Sequence, residues 1–282
     1  MTKKILEIAD MSRQELLDAM WSHIPATGGE ETEVNDSYIQ NHLERFRQVF
    51  SACPKDKGNG RLLEIGAITN TVPVYLNNLG YGYVAAHSLE KAELWLSEAA
   101  LQTFINQGRL RIDYFNFERD SSPYEDEYFD CVVCSEVLEH LTIDPMMMMS
   151  QINRSLKVGG RLIMSTPNVA SIEALHSILI GGNPYMYPPF YKSGGTNRHN
   201  REYTCFEVRR LLRASGFEVE EFYTFDLKQI PLSMRLLAYW CSLPWYLKRC
   251  AYLRPETWGQ FTLIVGVKTG SVSERYPKWL YV

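Results

Sequence analysis

Short apolar segments alternate with amphipathic segments along most of the chain. Apolar runs such as CVVC and RLIMS, bounded by turn-forming or charged residues, are typical of strands buried on both faces of a sheet. Seven strands are predicted, at Arg61–Gly66, Tyr81–Ala86, Arg109–Phe115, Phe129–Ser135, Gly160–Ser165, Phe217–Tyr223 and Phe261–Lys268. Helical spacing predicts helices among them, at Val72–Leu79, Glu90–Asn106, Pro145–Leu156 and Phe206–Ala214. This alternation predicts an α/β fold with a mostly parallel sheet and helices on both faces.

Two segments lie outside this alternation. The first fifty-odd residues read as helical and end in the amphipathic stretch Tyr38–Phe50, before a turn-rich break at Lys55–Gly60. We therefore divide the chain into an N-terminal helical cap, 1–54, and an α/β domain, 55–282. The insertion Asp226–Gln260 before the last strand is rich in Leu, Trp and Tyr with scattered basic residues. We interpret it as a packed helical cap; a substrate lid, an oligomer contact and a membrane-surface element are the alternatives.

Composition narrows the classes of partner. The formal net charge of −4 argues against a nucleic-acid partner, since nucleic-acid binders carry a basic surface. The N-terminal segment does not read as a secretory signal, and no apolar run reaches the roughly 18 residues of a membrane span. Cys131 and Cys134 form a C-x-x-C pair inside a predicted strand, where residues three apart face opposite ways and cannot share a metal. We expect buried free thiols and a reducing compartment, the cytoplasm.

The segment 61–70, RLLEIGAITN, places an acidic residue and a glycine at the turn after the first strand. Ligands of open α/β sheets bind at such turns. The segment resembles the first motif of class I S-adenosylmethionine (SAM)-dependent methyltransferases, acid-x-Gly-x-Gly-x-Gly. Glu64 and Gly66 match that motif, whereas Ile68 and Asn70 stand where the family has glycines. A β-branched residue is disfavoured in left-handed backbone by about 1–2 kcal/mol, so the turn departs from the family path.

A second departure follows the second strand. Family members place an acid there that accepts hydrogen bonds from the cofactor ribose, and His87 stands at that position. Loss of a charged acceptor costs about 1.5–3 kcal/mol. Glu90, one helical turn further on, is the candidate substitute.

Downstream blocks strengthen the resemblance. The segments YFDCVVCSEVLEHL and LKVGGRLIMSTPN resemble the blocks around the family's fourth and fifth strands, and HNREYTCFEVRRLLRASGF resembles a later block. The closing segment RYPKWLY resembles that of bacterial methyltransferases associated with surface glycans. The resemblance implies a Rossmann-like class I methyltransferase fold with SAM as cofactor. It assigns the cofactor contacts to Glu64, Gly66, Ala67, His87, Glu90, Asn116, Phe117 and Glu136.

Two histidines are the candidate catalytic residues. Methyl transfer from a sulfonium is a one-step displacement, and a hydroxyl nucleophile benefits from a base that takes its proton. Neutral histidine suits this role near pH 7. His140 follows the fourth strand, where the acceptor would approach, and His199 lies in a polar loop that contains Glu202. The competing interpretation of His140 is a structural contact with backbone.

The spacing of Glu136, Glu139 and His140 admits another chemistry. Positions i, i+3 and i+4 share a helix face, so two carboxylates and an imidazole would converge there. Together with His199 this pattern resembles the metal site of the small-RNA 3′-end 2′-O-methyltransferases. The motif is also widespread in relatives that use no metal, so the sequence favours a metal-free base mechanism.

Two functions remain open at this point. The leading hypothesis is O-methylation of a hydroxyl on a sugar, a glycan or another small molecule. The runner-up is a degenerate methyltransferase fold that binds a ligand or partner without catalysis, which the departures at Ile68 and His87 favour. RNA methylation fits the Glu/His pattern but conflicts with the acidic charge balance.

Overall fold

A computed structural model describes residues 7–22, 30–67, 69–89, 98–187, 190, 198–227 and 257–282. The chain begins with two helices, α1 (Arg13–Trp21) and α2 (Glu30–Ala52). The following strands and helices are β1 (Arg61–Ile65), β2 (Tyr83–Ser88), α3 (Glu98–Asn106), β3 (Leu110–Tyr114), β4 (Phe129–Ser135), α4 (Pro145–Ser155), β5 (Leu156–Pro167), α5 (Ile172–Leu179), α6 (Cys205–Ala214), β6 (Phe217–Phe225) and β7 (Phe261–Lys268).

The strands form one seven-stranded sheet in the order β3-β2-β1-β4-β5-β7-β6. Neighbours from β3 to β5 are parallel, and β7 runs antiparallel to both β5 and β6. Helices pack on both faces, so the predicted mostly parallel α/β architecture is confirmed. All seven predicted strands are present. The bounds of β4 and β7 are as predicted, and those of the other strands differ by one to four residues; the largest difference is at β5, which begins four residues earlier than predicted.

Side chains of alternate parity along each strand build two separate cores. On β4, Cys131 and Val133 face the core that contains α1, α2 and α3. Val132 and Cys134 face the core that contains α4 and α6. The two cysteines therefore point to opposite faces as predicted, and both thiols are free and buried.

The N-terminal helices belong to the first of these cores. Leu16 of α1 and Phe50 of α2 are fully buried and pack in the same cluster as Leu62 of β1. The predicted helix Tyr38–Phe50 is confirmed as part of α2. The division into a cap, 1–54, and a domain, 55–282, stays a prediction.

One predicted helix is wrong in type. In place of an α-helix over Val72–Leu79, the chain forms a short 3₁₀ turn at Thr69–Thr71 and one π-helical turn at Val74–Asn78. Pro73 precedes that turn, and Leu79 donates its N–H to Val74 O, five residues back. Tyr75 within the turn and Tyr81 just after it are both buried. Packing of these large side chains against the sheet takes precedence over regular α-helical geometry.

Parts of two predictions fall outside the described residues. Glu90 and residues 91–97 of the predicted helix Glu90–Asn106 lie there, as do residues 228–256 of the insertion Asp226–Gln260. Among the helices of the described ranges, none combines the length and the apolar composition needed to cross a bilayer.

Candidate active site at the carboxyl ends of the strands

The connections of the sheet diverge between β1 and β4. From β1 the chain continues to β2 and β3 on one side, whereas β4 continues to β5 on the other. In open α/β sheets, ligands bind beyond the carboxyl ends of the strands at such a switch point. The loops that follow β1 and β4 therefore form the candidate site, and four of the predicted site residues lie in them: Gly66, Ala67, Glu136 and His140.

The turn after β1 is closely packed against the loop after β4. Gly66 has φ +69°, and a Cβ at this position would lie 2.5 Å from Val137 Cγ2. Ala67 donates its N–H to His87 O over 2.8 Å, which ties the turn to the end of β2. Only glycine fits this backbone and this contact without strain. Ile68, the departure from the family motif, lies outside the described residues.

Glu64, near the end of β1, stabilises that turn through two hydrogen bonds. Its two carboxyl oxygens accept hydrogen bonds from Thr71 Oγ1 over 2.5 Å and from the Tyr75 hydroxyl over 2.9 Å. Burial raises the pKa of Glu64 to about 8, against the lowering effect of these two hydrogen bonds. The group is thus mostly neutral at pH 7. Its predicted contact with the cofactor stays a prediction.

His87 lies at the end of β2 in an aromatic cluster. Its ring lies 4.5 Å from that of Phe115 and 4.6 Å from that of Phe117, centroid to centroid. Nε2 lies 2.7 Å from Phe115 O, and because a carbonyl only accepts, Nε2 carries the proton. Burial lowers the pKa of His87 to about 4, so the ring is neutral. Nδ1 is then a buried acceptor without a hydrogen-bond partner among the described residues.

The two predicted site residues after β3, Asn116 and Phe117, make different contacts. The Asn116 side-chain oxygen accepts the Glu118 N–H over 2.8 Å and stabilises its own turn. Phe117 is 4% exposed and packs in the aromatic cluster with His87. Contacts of these two residues with the adenine stay predictions.

Sequence reasoning did not assign a role to Asn70. This side chain is fully buried, and neither its nitrogen nor its oxygen has a hydrogen-bond partner in the part of the chain that the structure describes. In the sequence, Asn70 is notable only because it stands where the family motif has a glycine. Buried polar atoms without partners are costly, and Asn70 and His87 Nδ1 offer such atoms near the ends of β1 and β2. This donor and acceptor set fits a nucleoside cofactor.

Glu136 follows β4 in a left-handed conformation, with φ +56°. Its N–H donates to Ser165 O over 2.9 Å, and its carboxylate accepts the Ser165 hydroxyl over 2.8 Å. The other carboxylate oxygen lies 3.7 Å from Arg45 Nη1. Burial raises the pKa of Glu136, and the Arg45 guanidinium opposes that rise. Glu136 is therefore engaged with α2 and β5.

Arg45 is a buried charged residue at the candidate site that the sequence analysis did not identify. It projects from α2 and is only 3% exposed, with its guanidinium donating to the Tyr38 hydroxyl over 2.7 Å. A signal was present in the sequence. Tyr38, His42 and Arg45 repeat at helical spacing along the otherwise apolar face of this helix.

His140 and His199 lie side by side, with ring centroids 5.0 Å apart. The loop of His199 is tied to the turn after β4 because the N–H groups of Asn200 and Arg201 donate to Glu139 O, over 2.8 and 3.2 Å. The Asn200 side chain also donates to His140 O over 2.8 Å. The structure thus joins the two predicted catalytic residues, which are far apart in sequence.

Each of these rings holds its Nδ1 against a protein acceptor. His140 Nδ1 lies 3.0 Å from Arg198 O, and His199 Nδ1 lies 2.5 Å from Glu202 Oε1. Since a carbonyl or carboxylate oxygen only accepts, Nδ1 carries a proton in both rings, and in the neutral form of each ring Nε2 keeps a lone pair. Burial lowers the pKa of His140, which favours the neutral ring. The backbone contact expected for a structural His140 is present, yet it leaves Nε2 available for chemistry.

Both Nε2 atoms face Glu139. Its Oε1 lies 3.9 Å from His140 Nε2 and 4.0 Å from His199 Nε2. Glu139 is fully buried, and its other oxygen accepts the Thr166 hydroxyl over 2.9 Å. Burial raises the pKa of Glu139 well above its ordinary value, and the neighbouring Glu136 adds to this effect. Two imidazole lone pairs and one carboxyl oxygen therefore converge beyond β4, a set that can accept a proton or hold a cation.

The fold and this site define a class of protein, and comparisons with known proteins agree. The model of a methyltransferase domain family matches residues 36–221. A probable SAM-dependent methyltransferase of Mycolicibacterium smegmatis is 32% identical over 111 residues, which is 39% of this chain and 37% of that protein. The ubiquinone biosynthesis O-methyltransferase of Roseobacter denitrificans is 26% identical over 185 residues, which is 66% of this chain and 71% of that protein.

Solved structures share the fold at low sequence identity. Geranyl diphosphate C-methyltransferase from Streptomyces coelicolor A3(2), in complex with Mg²⁺, geranyl diphosphate and S-adenosyl-L-homocysteine, has a TM-score of 0.52. It is 16% identical, covering 89% of this chain and 87% of that chain. A SAM-dependent methyltransferase from Thermotoga maritima has a TM-score of 0.51 and 19% identity, covering 84% of this chain and 97% of that chain.

The chain therefore belongs to the methyltransferase domain family, with a class I, Rossmann-like fold. The family's cofactor is SAM, as the resemblance in the sequence implied. The match with the mycobacterial relative spans little more than a third of that protein's length.

Proposed function

We propose that this chain transfers the methyl group of SAM to a hydroxyl oxygen of a sugar, a glycan or another small hydroxylated molecule. The observation that carries the proposal is the pair of histidine Nε2 lone pairs, His140 and His199, at the carboxyl end of β4. A hydroxyl placed there would lie beside the switch point at which ligands of this fold bind. The acidic net charge, −4, favours such an acceptor over a nucleic acid.

The residues present suit the steps of this reaction. The acceptor oxygen forms a bond to the methyl carbon while the carbon–sulfur bond breaks, and the electron pair stays on sulfur. The products are the methyl ether and S-adenosylhomocysteine, and the hydroxyl proton leaves to a base. The Nε2 lone pairs of His140 and His199, the two residues that the sequence predicted as catalytic, are the groups that would take this proton. Gly66, Asn70 and His87, near the ends of β1 and β2, are the residues that would bind the cofactor.

Two further observations support an oxygen acceptor and its setting. The Roseobacter relative is an O-methyltransferase by name, and the RYPKWLY segment supports a glycan-related acceptor. The free thiols of the four described cysteines are consistent with the cytoplasm as compartment. A role of the insertion Asp226–Gln260 in covering the acceptor, a partner or a membrane surface stays a prediction.

Calorimetric titration of the purified chain with SAM tests the first half of the proposal. We expect micromolar binding, and loss of at least about 100-fold in affinity in Gly66→Val, because a side chain there meets Val137 and forces strained backbone. Gly108 is a matched control. It has φ +67°, but a Cβ added there would have no atom within 4 Å, so Gly108→Val carries similar backbone strain away from the site.

An assay of turnover tests the second half of the proposal, the transfer of the methyl group to a hydroxyl. S-adenosylhomocysteine formation with a panel of sugars, glycans and small hydroxylated molecules should identify an acceptor. SAM binding without turnover on the whole panel would favour the non-catalytic alternative. A folded protein that gives no heat at millimolar SAM would refute the enzyme assignment.

A further inference from the structure

We infer that Glu139, His140 and His199 form a binding site for one divalent transition-metal ion such as Zn²⁺ or Mn²⁺, placed where it would hold the acceptor oxygen. The assignment of the ion's role rests on the proposed function, whereas the ion site itself rests on the geometry of these three side chains. The sequence favoured a metal-free mechanism, and its four-residue alternative also included Glu136. The structure instead groups three ligand atoms and directs Glu136 elsewhere.

The three ligand atoms are spaced for an ion between them. Glu139 Oε1, His140 Nε2 and His199 Nε2 all lie within 4.8 Å of one another, and the two His–Glu separations are 3.9 and 4.0 Å. Those separations are too long for hydrogen bonds, which span about 2.7–3.2 Å. Bonds of about 2.0–2.2 Å to Zn²⁺ hold tetrahedral ligand atoms roughly 3.4 Å apart. Closure of about half an ångström along each His–Glu pair, and of at most about 1.4 Å between the two imidazole nitrogens, would therefore complete the site.

The protonation pattern of the histidines is that of metal ligands. A ligating imidazole commonly donates its other N–H to a carboxylate or a backbone carbonyl, which fixes the tautomer and orients the ring. His140 donates Nδ1–H to Arg198 O, and His199 donates Nδ1–H to Glu202. Glu202 is itself held by the Met186 N–H over 2.6 Å. Both lone pairs consequently point inward.

A second, independent observation comes from Glu139. Its Oε1 is buried and has no hydrogen-bond partner within the described ranges of the chain. A buried carboxyl oxygen without a partner is costly, and coordination of a cation would remove that cost. Oε2 is already fixed by Thr166, so the carboxyl group is oriented toward the two rings.

The surrounding charges permit a cation. Arg45, a buried cation that interacts electrostatically with both Glu136 and Glu139, is paired with Glu136 at 3.7 Å. Glu136 therefore offsets the charge of Arg45, while Glu139 remains available to the ion. Imidazole and carboxylate ligands together favour Zn²⁺, Mn²⁺ or a similar transition ion over Mg²⁺, which prefers oxygen ligands and retains its waters.

Three protein ligands leave at least one coordination position for an exogenous oxygen. An acceptor hydroxyl bound there would be oriented for attack, and the ion's charge would lower the pKa of that hydroxyl. In this arrangement the histidines position the acceptor through the ion, and the hydroxyl proton passes to solvent. The site thereby favours acceptors that offer a hydroxyl able to coordinate a metal.

Metal titration of the full-length chain tests the site without any turnover. The protein is stripped with a chelator, dialysed and titrated with Zn²⁺ by calorimetry, and with Co²⁺ by visible absorption, which reports the coordination geometry. We expect one ion per chain. Glu139→Gln and His199→Gln should each weaken binding at least about 100-fold, and Glu202→Gln about 10- to 100-fold, because it supports His199 from outside the site.

His176 provides the matched control, because it is an exposed histidine on α5 outside this cluster. His176→Gln should bind the metal as the unmodified protein does. Thermal unfolding of each variant in chelator verifies that it is folded, and His140→Gln replaces any variant that is not. Binding that survives both Glu139→Gln and His199→Gln, or no binding by the unmodified protein, would overturn the inference.

An assay of methylation then distinguishes a failure of this inference from a failure of the proposed function. Methylation that chelators abolish and one transition ion restores supports both. Chelator-insensitive methylation by a protein that binds no metal overturns the metal site and leaves the proposed function standing. One bound ion without methylation of any hydroxyl overturns the proposed function and leaves the metal site standing.

Discussion

The buried polar groups on the two sides of the switch point differ in their hydrogen-bond and ion-pair partners. On the β1–β2 side, Glu64 and His87 are both held in their neutral forms by burial, with pKa values of about 8 and about 4. Each is bonded to a neighbouring hydroxyl or carbonyl. On the β4–β5 side, Glu136 is paired with Arg45, and Glu139 faces two histidine lone pairs.

This difference shows two ways to limit the cost of desolvation. A buried ionisable group can give up its charge, or it can keep the charge and pair with an opposite one. The first solution produces a rigid wall with a few fixed donors and acceptors, which suits a cofactor of constant shape. The second applies to the Glu136–Arg45 ion pair beyond β4, whereas burial raises the pKa of the neighbouring Glu139 well above its ordinary value. The contrast makes measurable predictions for each side.

The largest expected effect is on the charged side. Arg45→Met leaves Glu136 buried without its counter-charge, and loss of one partner of a buried pair typically costs about 3–5 kcal/mol. We expect the free energy of unfolding at pH 7, measured with urea, to fall by about that amount. The double variant Arg45→Met/Glu136→Gln should recover most of the loss. Equal losses in the single and double variants would show that Arg45 acts through packing or through Tyr38 instead.

A smaller effect is expected from the neutral side, as a pH dependence. Glu64 keeps its proton in the folded state up to about pH 8, whereas in the unfolded state it loses it near its ordinary value of 4.5. Its contribution to stability is complete below the unfolded pKa and is lost as pH rises toward the folded pKa. This amounts to about 1.4 kcal/mol per pH unit, or roughly 2–3 kcal/mol between pH 5 and 7.

The variant Glu64→Gln isolates that contribution, because Gln cannot titrate but can still bond to the two hydroxyls. Urea unfolding at several values between pH 5 and 8 should show a steeper decline for the unmodified protein than for the variant. The other titrating groups cancel in the difference between the two curves. Parallel curves would mean that Glu64 is ionised in the folded protein.

The smallest predicted effect concerns His87 Nδ1. If this buried acceptor binds the cofactor ribose, His87→Phe removes one neutral hydrogen bond, worth about 0.5–1.5 kcal/mol, or roughly a two- to tenfold weaker SAM affinity. His87→Gln retains a donor for Phe115 O and an acceptor, so we expect it to restore part of the affinity. Calorimetry on both variants measures this. Unchanged SAM affinity in His87→Phe would remove His87 from the cofactor contacts.

Much of the architecture was predictable because it depends on local periodicity. Apolar runs bounded by turns identify the seven strands, and alternation along β4 places Cys131 and Cys134 on opposite faces. Motif order also located Gly66, His87, Glu136 and His140 at the carboxyl ends of strands. Turn type was less predictable, since the π-helical turn at Val74–Asn78 follows from the packing of Tyr75 and Tyr81.

What the sequence by itself determined is therefore the order and type of most elements, the family and the residues nearest the switch point. Only the tertiary structure determined which partners those residues contact. Arg45 meets Glu136 because α2 packs on the sheet, and His199 meets Glu139 because the backbone of Asn200 binds Glu139 O. Periodicity reports which face a side chain occupies within its own element. Distances between side chains of different elements, and the protonation states that follow from burial, depend on contacts across the whole fold.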